Sequence, residues 1–322
     1  MSTVVITGGT GLIGSALTKL LAVNGHQVIV LTRNPNSGKI KKNRTVRDKE
    51  GKGTLAMITY AAWDIKEQTI DDNALKQAEY IIHLAGAGVA DKRWTTKRKK
   101  EIQDSRTQSS TLLVKGLKEN SNKVKAVICA SGIGWYGEDL SRPSKKPFVE
   151  TDAPGVDFLG ETCKLWEDSI EPVTSLGIRL VKFRTGIVLS RHGGAFPEFK
   201  KPVRFGVAAI LGSGKQMVSW IHIDDICRMY LFAIENDSMS GVFNAVAPKP
   251  VSNKELTIQL ARTYKKNFFV ALHVPYFVLE IMLGEMREEV LKSATVCSDK
   301  IRKAGFNFIF PTIENAINDL LE

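Results

Sequence analysis

The sequence predicts an α/β fold whose core is a doubly wound parallel sheet, and three observations carry that prediction. Val4-Val5-Ile6-Thr7 favours extended backbone and runs into glycines at 8, 11 and 14, overlapped by Leu12, Ile13, Ala16, Leu17, Leu20 and Leu21 at helical spacing. Strand-like and helix-like stretches then alternate through six cycles, as right-handed crossovers on a parallel sheet require. Strands such as Val124–Ala130 are apolar almost throughout, which suits a sheet covered on both faces.

The opening strand, turn and helix carry the first functional signal. Glycines in the frame Gly9-x-Gly11-x-x-Gly14 let backbone N–H groups approach a diphosphate, and the unpaired N–H groups opening the helix point positive charge at it. Gly8, Thr10, Gly11, Leu12, Ile13 and Gly14 form the candidate cradle, so a Rossmann-type dinucleotide site is expected; the competing reading is a glycine loop in an unliganded α/β domain. Gly25 stops the helix, and Gln27–Thr32 is the second strand. It ends at Arg33, where NAD-selective sites carry an acid. An arginine about 4 Å from a 2′-phosphate, in place of an acid, changes the interaction by several kcal/mol even at an effective dielectric near 20. NADP is therefore favoured over NAD, unless Arg33 is only a surface cation.

Leu55–Tyr60 is the third strand. Asp64, beyond it, either accepts the adenine amino group or caps the next turn. Tyr80–Leu84 delivers Ala85-Gly86-Ala87-Gly88 to the carboxyl edge, where small residues let the cofactor approach. A helix over Thr95–Leu117 precedes the fifth strand, which delivers Ser131; a helix over Phe158–Leu176 and a sixth strand over Ile178–Leu189 follow. From Gly193 to Lys215, glycines, prolines and cations read as a mobile loop that closes on a substrate. Trp220–Asp225 leads into a helix capped by an Asp, Ser252 and Glu255 have capping-box spacing, and helices fill the part beyond His273. The expected division is a cofactor domain over 1–190, which 217–246 rejoins, and a substrate loop with a smaller, mostly helical lobe over 191–322.

Composition narrows the class. The chain has 322 residues, 43% of them hydrophobic, and no apolar run reaches the roughly 18 needed to span a bilayer, so no membrane partner is expected. Cys129, Cys163, Cys227 and Cys297 are scattered, without zinc or disulfide spacing, so no metal and a reducing, cytoplasmic setting are expected. Net charge is +11, and Lys39, Lys41, Lys42, Arg44, Arg47, Lys49 and Lys52 gather between the second and third strands. No aromatic residue lies between Gly38 and Gly53 to stack on bases, so a solvated loop is favoured over a nucleic-acid patch.

Thr7-Gly8-Gly9-Thr10-Gly11-Leu12-Ile13-Gly14, Leu84-Ala85-Gly86, Lys92-Arg93-Trp94, Trp135-Tyr136-Gly137, Arg184-Thr185-Gly186-Ile187-Val188-Leu189 and Trp220-Ile221-His222-Ile223-Asp224-Asp225 occur in this order. Together they resemble the short-chain dehydrogenase/reductase superfamily, in its atypical "epimerase family" branch with a DUF1731-type C-terminal segment, here about 273–322. The resemblance implies NADP contacts from Thr32, Arg33, Leu84, Ala85, Glu101, Arg106 and the backbone around Val188, and a homodimer.

Hydride-transferring members of the superfamily use a Ser or Thr after the fifth strand and a Tyr-x-x-x-Lys pair on the next helix. Ser131 matches the first; Lys164 is present, but Gly160 stands where the tyrosine would be. Ser131, Tyr136 and His222 are the catalytic candidates. The expected function is an NADP-dependent oxidoreductase or nucleotide-sugar-type epimerase on a small carbonyl or sugar-like substrate. The alternative is a sensor or scaffold that binds NADP(H) without turnover.

Overall fold

A computed structural model describes residues 1–35, 44–46, 56–139, 146–266 and 268–322. In chain order the elements begin β1 (Thr3–Thr7), α1 (Leu12–Val23), β2 (Gln27–Thr32), β3 (Arg44–Val46), β4 (Ala56–Asp64), β5 (Thr69–Ile70), α2 (Asp72–Gln77), β6 (Tyr80–His83), α3 (Thr96–Glu119), β7 (Ala126–Gly132), α4 (Phe158–Ile170) and β8 (Arg179–Thr185). They continue β9 (Ile187–Ser190), β10 (Gly193–Gly194), α5 (Ala195–Arg204), β11 (Val207–Leu211), β12 (Met217–Val218), β13 (Trp220–His222), α6 (Ile223–Glu235), β14 (Gly241–Ala245), β15 (Val251–Ser252) and α7 (Asn253–Lys265). The chain closes with β16 (Val270–Val274), α8 (Tyr276–Leu283), α9 (Arg287–Leu291), α10 (Asp299–Lys303) and α11 (Ile313–Leu321).

The main sheet has the order β14-β8-β7-β6-β1-β2-β4-β3, parallel from β14 to β4, with β3 antiparallel on β4. Strand order reverses between β1 and β6, so the carboxyl ends of these two strands form the crevice in which such sheets bind ligands. Alternation sorts the strand residues. Val4, Ile6, Val28, Val30, Ile82 and Ile128 face one buried cluster with α1 and α6, while Val5, Ile29, Leu31, Ile81 and Val127 face another with α2 and α3. A third cluster, including Phe196, Trp220, Leu256, Leu260 and Ile317, is the core of the C-terminal part.

Four local expectations need correction. The helix from Phe158 ends at Ile170 and continues as a 3-10 turn over Glu171–Leu176, because Pro172 lacks the N–H an α-helix needs. The stretch 178–189 is two strands in different sheets, broken at Gly186, where a Cβ would lie 2.5 Å from the Ser219 carbonyl oxygen. The expected loop after Gly193 is mostly helix and strand. Pro197 lies in the first turn of α5, where a proline costs little, and Phe196 and Val203 anchor one buried face. Finally, α6 is capped by the His222 ring, whose Nδ1 accepts from the Asp224 N–H, and not by an aspartate.

The capping box at Ser252 and Glu255 forms as the spacing predicts. Among the described residues, no helix is long and apolar enough to cross a membrane. Of the basic run between β2 and β4, only the backbone of 44–46 falls within the described residues; Lys39, Lys41, Lys42, Arg47, Lys49 and Lys52 lie outside them.

Candidate functional site

The turn after β1 is closed by contacts that only glycine permits. Gly8 has φ +68°, and a Cβ there would lie 2.8 Å from the Leu84 carbonyl carbon; at Gly14 a Cβ would lie 2.2 Å from the Gly8 carbonyl oxygen. These approaches press α1 against the turn and the turn against the end of β6. Gly11 is the N-cap of α1 and offers no capping side chain, and the first turn carries no acid. Thr10 and Gly11 are exposed and Leu12 and Ile13 half-buried, so the first-turn N–H groups open onto the crevice. The geometry fits a diphosphate.

The floor of the crevice is pinned by a buried chain that sequence reasoning missed. Thr7 Oγ1 accepts from the Leu84 and Ala85 N–H groups at 3.1 and 3.2 Å and lies 2.8 Å from His83 Nδ1. With both N–H bonds accepted, the Thr7 hydroxyl donates to Nδ1, and His83 Nε2 faces Ser110 Oγ at 3.2 Å. Burial lowers the His83 pKa to about 4, so the ring is neutral. Its signal in the sequence was faint: one polar residue ending an apolar strand.

Arg33 is exposed at the end of β2, with Thr32 half-buried beside it. Asp64 Oδ1 accepts from the Lys66 and Glu67 N–H groups at 2.8 and 3.3 Å, the turn-capping alternative for this residue. Gly86 lies against the Arg106 side chain, and Arg106 Nη1 donates to the carbonyls of Ala87 and Ile102, both at 2.9 Å. Glu101 is exposed and paired with Arg98 Nη1 at 2.8 Å. Val188, half-buried, pairs with Ile221 between β9 and β13.

Ser131 and Tyr136 meet in one network. Ser131 donates to Glu167 Oε1 at 2.8 Å, Arg184 engages Glu167 twice, and Arg184 Nη1 donates to the Tyr136 hydroxyl at 3.1 Å. That hydroxyl donates to Asn244 Oδ1 at 2.7 Å. Burial pushes the phenol up to about 12, against the lowering influence of Arg184. Glu167 lay hidden in plain text as a carboxylate between Trp166 and Ile170 on the apolar stripe of α4. Gly160 is pressed against Gly155, with a Cβ only 2.2 Å from its carbonyl oxygen, so no tyrosine fits there. Lys164 is exposed and pairs with Asp168 at 2.6 Å.

The structure does not bring His222 into this network. It is buried at the start of α6, with Nε2 3.2 Å from Asp319 Oδ2 but off the hydrogen-bond axis, and its ring packs on Phe310 at 3.8 Å. Desolvation lowers its pKa, opposed by Asp224, Asp319 and Asp225. Asp319 also pairs with Arg191, so this cluster fastens the last helix to the core.

Two cavities lie against the C-terminal part, the smaller at the start of α4. One, of about 410 Å³, is lined by Trp94, Phe158, Leu159, Glu289 and Lys292 among others; the second, of about 710 Å³, by Ser213, Lys215, His273 and Tyr276 among others, and Glu138 borders both. Lys292 crosses between the parts: its Nζ is 2.7 Å from Asp157, whose other oxygen caps α4, and 3.4 Å from Glu289.

The crevice at the reversal point, the three-glycine turn and the uncapped helix define a nucleotide-binding protein of the short-chain dehydrogenase/reductase type. The chain belongs to the NAD-dependent epimerase/dehydratase family: that family's sequence model matches residues 4–155, and a DUF1731 domain of unknown function matches 274–320. Over 319 residues it is 33% identical to the epimerase family protein YfhF of Bacillus subtilis, covering 99% of this chain and 97% of that one. The human epimerase family protein SDR39U1, crystallised with NADPH, superposes with a TM-score of 0.83 at 28% identity and 99% coverage of both chains. A nucleoside-diphosphate sugar epimerase from Corynebacterium glutamicum is 31% identical at a TM-score of 0.73, the match covering 99% of this chain and 58% of that one.

Proposed function

We propose that this protein binds NADP(H) at the β1–α1 turn and acts as an oxidoreductase or epimerase on a small carbonyl or sugar-like substrate held in the cavity at the start of α4. The observation that carries the reading is the exposed Arg33 at the end of β2, beside an uncapped α1 whose turn is shaped by Gly8 and Gly14. A guanidinium there complements a ribose 2′-phosphate. The human relative crystallised with NADPH supports the same cofactor. Thr32, Leu84, Ala85 and Gly86 flank the same edge, while Glu101, Arg106 and Val188 shape its approaches. The wall of the smaller cavity carries five carboxylates and two lysines, which favours an uncharged or cationic substrate over a nucleoside diphosphate.

When bound, the nicotinamide would supply or accept hydride. Ser131 Oγ, its own hydrogen committed to Glu167, keeps lone pairs for a substrate hydroxyl, but the residue is buried and lines neither cavity, so contact requires the substrate to reach in from the carboxyl edge of β7. Tyr136 and His222 are held in structural bonds, so cavity water is assigned the proton. The reducing, cytoplasmic setting belongs to the same proposal.

Isothermal titration of the full chain with NADPH and NADH tests the cofactor. NADPH is expected to bind tighter by on the order of tenfold or more; absence of heat with either removes the reading. A second reading, a sensor without turnover, is favoured by the packing that excludes a tyrosine at Gly160. Tight NADPH binding with no consumption across neutral and amine-bearing carbonyl compounds would establish it.

A further inference from the structure

One end of the C-terminal part combines positive charge with exposed apolar side chains. Between Phe199 and Ile223 the chain has no Asp or Glu but carries Lys200, Lys201, Arg204 and Lys215; between Leu256 and Leu279 it again has none but carries Arg262, Lys265 and Lys266. The fold lays these stretches side by side. β11 pairs with β16 in parallel, with Val207 opposite Val270, and the Val270 N–H donates to the Gly206 carbonyl at 2.8 Å. Lys200 and Lys265, from α5 and the end of α7, both approach the Tyr264 ring, at 5.1 and 5.5 Å.

At the tip of this basic end stand two phenylalanines. Phe205 is 87% exposed and Phe268 85%, and Val270 and Leu272 are exposed on β16, a strand exposed on both faces from Val270 to His273. One face of β11 is buried through Ala208 and Ile210, its other face is half-buried, and the exposed apolar surface lies on β16 and the two phenylalanines beside it. Lys266 holds φ +56°, a left-handed conformation disfavoured outside glycine, at the turn leading to Phe268. Arg204, Arg262 and Lys266 are exposed and without an ion-pair partner among the described residues, whereas Lys201 is paired with Glu198.

We propose that this end docks peripherally on an anionic lipid surface, with Phe205 and Phe268 entering the headgroup boundary and the surrounding lysines and arginines facing lipid phosphates. Charge complementarity selects the occupant: a collar in which cations outnumber acids, with Glu198 offset by Lys201, around protruding apolar side chains suits a surface that is negative outside and apolar beneath. A nucleic acid would be met by the same cations and would find stacking faces on the phenylalanines, but the aliphatic Val270 and Leu272 extend the exposed face with surface that neither phosphate nor base complements and that an acyl boundary does. No spanning segment is needed. The inference is independent of the cofactor and of turnover.

The test is co-sedimentation of the full chain with phosphatidylcholine vesicles, with and without roughly one-third phosphatidylserine, at low and high salt. Binding is expected only to the anionic vesicles and to fall with salt. The double variant F205S/F268S should lower the partition coefficient by on the order of tenfold or more, and R204E/R262E/K266E by on the order of a hundredfold. Both variants change exposed side chains, and unchanged thermal unfolding verifies that they fold. Equal binding to both vesicles, binding to neither, or binding indifferent to the phenylalanines overturns the proposal. So does a wild-type dimer in sedimentation velocity that F205S/F268S dissociates, which would assign the face to a second copy of the chain. Equal retention of the wild type and the phenylalanine variant on a polynucleotide, with no vesicle binding, would assign it to nucleic acid.

Discussion

Arg184 grips Glu167 through two parallel bonds, Nε to Oε1 at 2.8 Å and Nη2 to Oε2 at 3.1 Å, and both side chains are sealed from solvent. Lys182, two residues earlier on the same face of β8, reaches Glu167 at 3.8 Å and Glu171 at 2.5 Å. A strand carrying cations at i and i+2 thus meets a helix and its 3-10 extension carrying acids at i and i+4.

Removing one member of the buried pair should be severe. Arg184→Met leaves Glu167 without its bidentate partner and Tyr136 without a donor, and should lower unfolding free energy by about 3–5 kcal/mol. Arg184→Met with Glu167→Leu should cost clearly less than the single change, because no charge is left uncompensated. Urea unfolding of the three proteins measures the difference.

Gly8→Ala introduces a Cβ at φ +68° and 2.8 Å from Leu84 backbone. The strain and the clash with a rigid strand end should cost about 2–4 kcal/mol together. NADPH heat in calorimetry should vanish even under conditions where the variant remains folded. Retained affinity would show that the turn does not set the diphosphate site.

Arg33→Glu replaces the exposed guanidinium at the end of β2 with an acid. Calorimetry should show NADPH affinity falling by on the order of a hundredfold, with NADH binding unchanged or improved. A variant that loses affinity for both equally would assign Arg33 a role apart from the 2′-phosphate.

His83 gives a signed pH dependence. Its folded-state pKa of about 4 lies below its ordinary 6.5, so the unfolded chain binds the extra proton between these values. The stabilisation from the neutral ring is complete above pH 6.5 and is lost as pH falls from 6.5 towards 4, on the order of 3 kcal/mol in all. Desolvation lowers His26 and His222 as well, so they add in the same direction. Unfolding free energy measured from pH 7 to pH 4 should fall less steeply in His83→Gln than in the parent.

Ser131→Ala removes a buried donor to Glu167 and should cost about 1–2 kcal/mol in urea unfolding. If Ser131 also holds the reacting oxygen, NADPH-linked turnover should be abolished while NADPH binding persists. Unchanged turnover would leave it only its structural bond.

The sequence by itself determined the parallel sheet, the glycine turn and the cation at the end of β2, because these depend on periodicity and on local backbone demands that neighbouring residues state openly. Val4 and Ile6 alternate with Val5 in a way only a two-faced strand explains, and Gly8, Gly11 and Gly14 announce the turn. Only the tertiary structure decided what Ser131, Tyr136 and His222 touch, because their partners Glu167, Arg184, Asn244 and Asp319 lie between 36 and 108 residues away along the chain. It also decided that Pro197 and Pro202 lie within a helix, where the buried Phe196 and Val203 outweigh the local preference of the prolines. Long-range pairing of charge, and burial that overrides propensity, leave no mark on any short window of the chain.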